Sequence, residues 1–382
     1  LQHSEKRGVS VECLQGIPLN IRWILVMGLG AMAVVPASAQ SVTAYGLVDL
    51  AVEHVASVAA SGGGVNRMPG LTGSYPSRLG WRGGDDLGAG LRSVFALEMG
   101  VTPDTGGISQ GGRAFGRQAL VGLTGPWGAL TLGRQYTMLY WSLLDADVLG
   151  PNLYGSGSLD SYIPNSRADN AIAYRGSFGG LTLGATYSLG RDAVNASNPA
   201  GTNCPGEATG DAKECREWSA LVKHNGSTWG AALAVDEIRG GPGAFAGLTS
   251  SALADRRLSI NGYVNLSDLK LTSGLVRRDN GASAATSRSD LWYAGAVYPI
   301  TPLLQAEIEV FSLKFKHGGA KAELVAARVS YSLSKHSAVY TTFGRINNGG
   351  GLALSVSAGA AGSSPVAGAS QGAIAFGLRH SF

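Results

Sequence analysis

Alternation of apolar with small or polar residues dominates the chain, and it predicts strands almost throughout. In 181–189 the odd positions Leu181, Leu183, Ala185, Tyr187 and Leu189 are apolar, while Thr182, Gly184, Thr186 and Ser188 lie between them. Leu258, Ile260, Gly262, Val264 and Leu266 form one face of the next clear case, against Arg257, Ser259, Asn261, Tyr263 and Asn265. Leu304, Ala306, Ile308 and Val310 alternate with Gln305, Glu307 and Glu309, and Val325, Ala327, Val329, Tyr331 and Leu333 with Ala326, Arg328, Ser330 and Ser332. A period of two is the strand signature. The runs are about ten to twelve residues, longer than the ~5–6 usual in soluble sheets and long enough to cross a bilayer as tilted strands. After Gln40 no apolar run approaches the ~20 residues of a membrane helix.

The connections alternate in length. Gly125-Pro126-Trp127-Gly128, Ser177-Phe178-Gly179-Gly180, Asn225-Gly226-Ser227, Ser267-Asp268, Thr301-Pro302 and Ser334-Lys335-His336 are short and carry turn chemistry. Between them lie long Gly/Ser/Ala-rich loops, among them 55–76, 135–168, 191–214 and 347–370. Short turns on one rim and long loops on the other are the arrangement of a membrane barrel. We count sixteen strands between residues 41 and 382. The expected fold is therefore all-β: a transmembrane antiparallel β-barrel of sixteen strands. Its third long loop, about 135–168, is too long for an idle connection and is expected to fold into the bore and narrow it.

Composition agrees. The chain has 382 residues, 57 of them Gly and only 15% charged, as a wall with an apolar outer face requires. The formal charge of +4 is small, and no basic run tracks phosphates, so nucleic-acid binding is not expected. Trp81, Trp127, Trp218, Trp229 and Trp292 fall near strand ends, as interfacial girdles do.

Residues 1–39 read as a signal segment with an N-terminal extension. Arg22 precedes an apolar core from Trp23 to Val35, and Ala37-Ser38-Ala39 supplies small residues for cleavage between Ala39 and Gln40. The domain expected to remain is 40–382. It keeps Cys204 and Cys215, with ten residues between them. In an exported chain such a pair reads as a disulfide; a metal site would want further His or Cys nearby, and none is there.

Several short motifs then occur in order: Ser41-Val42-Thr43-Ala44-Tyr45-Gly46-Leu47-Val48-Asp49, Ser77-Arg78-Leu79-Gly80-Trp81-Arg82-Gly83-Gly84-Asp85-Asp86-Leu87-Gly88, Phe115-Gly116-Arg117-Gln118 and Leu132-Gly133-Arg134-Gln135, with Gly377-Leu378-Arg379-His380-Ser381-Phe382 at the end. With these the chain resembles the sixteen-stranded trimeric general porins of Gram-negative bacteria, of the neisserial and betaproteobacterial type. The resemblance implies an outer-membrane homotrimer that passes small hydrophilic solutes and ions passively, without enzymatic activity or cofactor. It also implies contact with outer-membrane lipid and lipopolysaccharide, and a final strand, ending in Phe382, that the barrel-assembly machinery recognises. It places Arg78 and Arg117 at the constriction.

A constriction filters by diameter and by the charges that face it. Arg167, just after the third loop, is a further candidate beside Arg78 and Arg117. The loop offers Asp145, Asp147 and Asp160, expected to face those arginines. Around Arg117 the alternation is unclear, because Ala119, Val121 and Leu123 share its parity. Other positions expected to line the bore are Asp49, Arg82, Arg92, Glu98, Arg257, Lys270, Arg278, Glu307, Glu309 and Arg328. Basic positions outnumber acidic ones there, which points to a mild anion preference. A substrate-specific channel and a surface adhesin or receptor barrel acting through the long loops are the alternative readings. The chain has no Gly-x-x-x-x-Gly-Lys, Cys-x-x-Cys or His-Glu-x-x-His motif, and no metal site is expected.

Overall fold

The computed structural model describes residues 41–59, 61–192, 202–284 and 286–382. The expected signal segment and its expected cleavage position lie outside the described residues. Sixteen long strands form the wall: Ser41–Val58, Arg78–Gly88, Leu91–Thr102, Gln118–Gly125, Gly128–Tyr136, Arg167–Phe178, Leu181–Ser188, Glu217–Asn225, Trp229–Arg239, Ala254–Leu266, Leu269–Asn280, Arg288–Pro299, Leu304–Phe315, Lys321–Ser332, Ser337–Gly349 and Ser370–Ser381. Two short strands, Gly63–Arg67 and Gly107–Ile108, belong to the first and second long connections.

Each wall strand pairs antiparallel with its neighbours in sequence, and the sheet closes on itself. The first strand pairs with the second from Ser41↔Gly84 to Leu47↔Arg78, and with the last from Leu47↔Ser381 to Val55↔Ala373. Closure removes the edges, so the backbone donors and acceptors of every wall strand can be met within the sheet. In hydrocarbon each unmet group would cost several kcal/mol. The seam is fastened at the C-terminus. Gly46 donates its N–H to the Phe382 carbonyl at 3.0 Å and accepts from the Phe382 N–H at 3.1 Å. The Phe382 ring lies over Gly46, and a Cβ added there would have to push the ring aside.

The two faces of the wall are inverted relative to a soluble sheet. Val121, Leu132, Ile172, Leu233, Ile260, Ile308, Val325, Phe343 and Phe376 point outward and are exposed, as are Trp127, Trp218, Trp229 and Trp292. Glu98, Glu217, Asp236, Arg257, Glu309 and Arg328 point inward and are buried. Lipid contact makes an apolar outside favourable, and the polar inside then has to be paired or wetted.

The strands run further than alternation alone suggested at several long-loop ends; the first, expected to end near 54, continues to Val58. Pairing with Gly63–Arg67 carries it past the apolar stretch. The Cys204–Cys215 disulfide is present, within the fourth long connection.

Candidate functional site

The third long connection, 137–166, is where side chains from many strands converge. It has more local structure than its sequence period suggested. Met138–Leu143 is a short helix, Ser156–Leu159 a second, and Ile163–Asn165 a 3-10 turn. Leu139, Leu143, Leu149, Leu153, Tyr154 and Ile163 share one buried apolar cluster with wall residues Val276, Leu291, Phe311, Leu324 and Ile346.

Polar contacts tie the same segment to the inner face of strand after strand. The Met138 N–H donates to Ser219 Oγ at 2.9 Å. Val148 and Leu149 donate backbone N–H groups to the two Glu309 oxygens at 3.3 and 3.0 Å. Tyr154 donates its hydroxyl to Glu53 at 3.0 Å. Tyr162 Oη lies 2.7 Å from Glu217 and 2.9 Å from Asp236. Burial and those two carboxylates push the Tyr162 phenol well above its ordinary range, so it remains a donor.

The three loop aspartates form no ion pair with Arg78 or Arg117, contrary to the sequence expectation of acids facing those arginines, although Asp147 and Arg117 line one cavity. Asp145 pairs with Lys223 and accepts from Asn225 Nδ2 at 3.3 Å. Asp147 accepts from Ser156 Oγ at 2.5 Å. Asp160 binds Arg257 through both oxygens, at 2.7 and 3.1 Å. Their chemistry diverges accordingly. Burial pushes the Asp147 carboxyl up to about 6. Burial also raises Asp160, but Arg257 and Arg278 outweigh it and hold the carboxyl down to about 2. Asp145 and Asp147, two residues apart, diverge because Asp145 and Ala146 follow the helix end in turn conformation, not in extended chain.

The arginines expected at the constriction gather around Tyr136 and Glu98. Arg117 is buried; its Nε meets Glu98 at 2.6 Å and its Nη2 donates to the Tyr136 hydroxyl at 2.7 Å. Arg167 Nη2 donates to the same hydroxyl at 2.7 Å, with its guanidinium 4.3 Å from the Tyr136 ring centre. Arg78 Nε lies 3.7 Å from Glu98 and is more open to water. Tyr140 stacks on Tyr136 at 4.0 Å. A cavity of about 140 Å³ opens here, lined in part by Tyr75, Arg117, Tyr140, Asp147, Asn152 and Arg167. The unclear parity at Arg117 has a simple cause. The strand starts only at Gln118, which pairs with Glu98, so Arg117 precedes the pleat and turns inward to the same carboxylate.

Most of the other inward candidates are locked in pairs, and are not free as a polar lining would suggest. Glu307 holds Arg328 at 2.5 Å, and Arg328 also donates to the Gly73 carbonyl at 3.1 Å. Arg257 and Arg278 share Asp255. Asp49 is buried and accepts from the Tyr340 hydroxyl and, at 3.1 Å, from the Tyr75 N–H. Arg82 and Arg92 are exposed, Arg82 over the Tyr45 ring, and Lys270 lies over Tyr263.

Sequence reasoning missed Tyr136, Lys223, Glu217, Asp236 and Arg175. Alternation in Glu217–Asn225 could have found Glu217 and Lys223, which share a face with Ser219 and Leu221. Tyr136 could not be found that way, because the pairing register shifts between Gly133 and Gln135.

Residues 26–351 match the family described as Gram-negative porin. The chain is 29% identical to outer membrane porin protein 32 of Delftia acidovorans over 92% of its own length and 98% of that protein. It is 29% identical to an outer membrane porin protein of Bordetella pertussis over 60% of its length and 56% of that protein. Among solved structures, an anion-selective porin from Comamonas acidovorans shares the fold with a TM-score of 0.72 at 22% identity, over 90% of this chain and 100% of that one. A closed sixteen-stranded wall, apolar outside and charged inside, is thus joined to a family match across most of the sequence: the chain belongs to the Gram-negative porin family and is a channel of the outer membrane.

Proposed function

We propose that this porin prefers anions, that its third long connection is the constriction, and that it works as a homotrimer. The observation that carries the selectivity is an imbalance on the short-turn half of the inner face. Arg82, Arg175, Lys270 and Arg379 sit there, and among the described residues none has a carboxylate oxygen within 4.0 Å. Aromatic rings support them: Arg175 lies 3.8 Å from the Trp141 ring centre and Arg379 4.6 Å from that of Tyr75. Of the acids on the same face, Asp145 is engaged by Lys223 and Glu98 by Arg117, while Asp86, exposed opposite Arg92 at the short-turn end, has no ion pair among the described residues. An anion entering this vestibule meets unneutralised cations, and a cation meets few free carboxylates.

The contacts of 137–166 with the inner face support its role as the constriction. Arg78 is the half-open member of the cluster there, while Arg117 and Arg167 act through the Tyr136 hydroxyl they share. Asp145, Asp147 and Asp160 hold the segment in place more than they filter. The homotrimer follows the sequence resemblance, with the outer faces of the first strands, where Val48, Val52 and Val121 are exposed, as the compatible surface. The barrel-assembly role of the strand ending in Phe382 is part of the same reading.

The test is the reversal potential of the purified protein in a planar bilayer under a KCl gradient. A potential of the sign set by chloride permeation is expected. The opposite sign overturns the anion preference, and absence of conductance overturns the channel.

A further inference from the structure

The helix Met138–Leu143 does not close against the wall on its short-turn side. A cavity of about 200 Å³ remains between them, with Ala96, Leu120, Ala129, Thr131, Ala173 and Arg175 among its wall residues. These come from four neighbouring strands. Space persists there because the residues facing it are small. Ala129 is the register partner of Arg175, and Ala173 that of Thr131. The helix is held off the gap by its own N-terminal residue. Met138 donates its N–H to Ser219 Oγ at 2.9 Å, and its side chain packs with Leu221, Ala232 and Ala234.

Polar groups in the cavity stand ready without partners. Arg175 is held over the Trp141 ring, 3.8 Å from its centre. A guanidinium on a ring face keeps its N–H donors free, because they lie in its own plane. Among the described residues those donors meet no hydrogen-bond acceptor, and no carboxylate oxygen lies within 4.0 Å. Gln118, half-buried at the long-loop end of its strand, likewise makes no side-chain hydrogen bond among the described residues. Gln135 is different. Its amide is engaged by Thr131 Oγ1 at 2.6 Å and by the Gly133 carbonyl at 3.2 Å, beside the register shift.

One unpaired guanidinium in an apolar surround defines the occupant. Lys223 also reaches the helix, at the Trp141 carbonyl, but it is paired with Asp145. A second negative charge would find no partner here, and burying a charge unpaired is costly. Inorganic phosphate and dicarboxylates therefore fit poorly. The arginine fork matches a single carboxylate. The alanine and leucine surfaces match an apolar body, and a cavity of ~150 Å³ lined by apolar side chains is enough to hold benzene.

We propose that this cavity retains small aromatic monocarboxylates in transit, with the carboxylate on Arg175 and the ring against Leu120, Ala129 and Ala173. The proposal rests on the channel reading and on Arg175 as an unneutralised cation of the vestibule, and it adds the body that such an anion carries.

The test is the chloride current of the purified protein in planar bilayers in KCl at neutral pH, with sodium benzoate, sodium acetate or benzamide added. Benzoate is expected to reduce the current saturably. Acetate lacks the ring and benzamide the charge, so each is expected to need a roughly tenfold higher concentration for the same block, or more. Ala173→Leu fills the cavity and Arg175→Gln removes the fork. Each is expected to raise the half-blocking concentration of benzoate roughly tenfold. Equal block by benzoate and either other probe, or an unchanged half-blocking concentration in Ala173→Leu, overturns the proposal. Should Ala173→Leu not fold, Ala96→Leu fills the same space from another strand, and the comparison of the three probes on wild type decides by itself. The reversal potential under a KCl gradient is read without benzoate. A cation-preferring sign there overturns the anion preference, while the benzoate block still decides the site.

Discussion

Asp160 of the third long connection grips Arg257 of the barrel wall with both carboxylate oxygens, at 2.7 and 3.1 Å. The contact fastens a segment with little regular structure to a strand far away in sequence. It also gives that attachment a dependence on acid.

Asp160 is held down to about 2, below its ordinary value near 4, because Arg257 and Arg278 outweigh the cost of burial. A depressed carboxyl contributes stability above its unfolded value, and that contribution is lost as pH falls toward the folded one. Attachment through Asp160 is expected to weaken between about pH 4 and 2. Single-channel recordings should show new closures in that window for wild type. Asp160→Asn should show them already at pH 7, and a quiet Asp160→Asn channel would count against the anchor.

Asp147 has the opposite sign. Burial raises it to about 6, so its packing is least strained when protonated, below about pH 4, and stability is lost as pH rises through 6. A rise of this size corresponds to an opposing free energy on the order of 3 kcal/mol at neutral pH. Asp147→Asn should resist thermal unfolding better than wild type at pH 7.5 and equally at pH 4. A variant less stable at both values would mean that the carboxylate is needed as such.

Arg117 forms a buried pair with Glu98. Removing one partner of such a pair leaves the other uncompensated, at a cost of about 3–5 kcal/mol. Arg117→Ser is expected to lower the temperature at which the folded band is lost on gel electrophoresis, and Arg117→Ser/Glu98→Gln to recover most of it. Arg78→Ser, at a more open site, should leave that temperature nearly unchanged while reducing anion preference.

Arg175 and Lys270 lie over aromatic rings in the short-turn half of the inner face, with no carboxylate oxygen within 4.0 Å among the described residues. Arg175→Gln/Lys270→Gln should shift the reversal potential toward cations with the barrel intact. If the potential is unmoved, the filter lies elsewhere, at the cluster around Arg78.

The disulfide closes a loop with a sequence separation of 11. By loop closure it is worth roughly 3 kcal/mol to that connection. Reduction should expose the segment around 202–216 to protease while conductance persists. Loss of conductance on reduction would tie this loop to the pore.

The wall was legible residue by residue. Alternation in 304–310 names the outward Ile308 and Val310 and the inward Glu307 and Glu309 without coordinates, because a strand has only two faces. The same rule puts Arg78, Arg82, Arg92 and Glu98 on one face of their strands, and the pairing register keeps them on one face. It fails where the pleat stops. Arg117 lies one residue before its strand, Tyr136 follows a register shift, and Asp145 and Asp147 sit at a helix end, so parity assigned them no partner.

Local pattern therefore decided the number of strands, their inside and outside, the short and long rims and the cysteine pair. These depend on neighbours in sequence and on lipid as the outer solvent. Tertiary structure alone decided that Asp145 meets Lys223, that Asp160 meets Arg257, and that Arg117 and Arg167 converge on one tyrosine hydroxyl. Those contacts join residues dozens of positions apart through a connection without a period, and only the closed barrel brings its strands within reach of that segment.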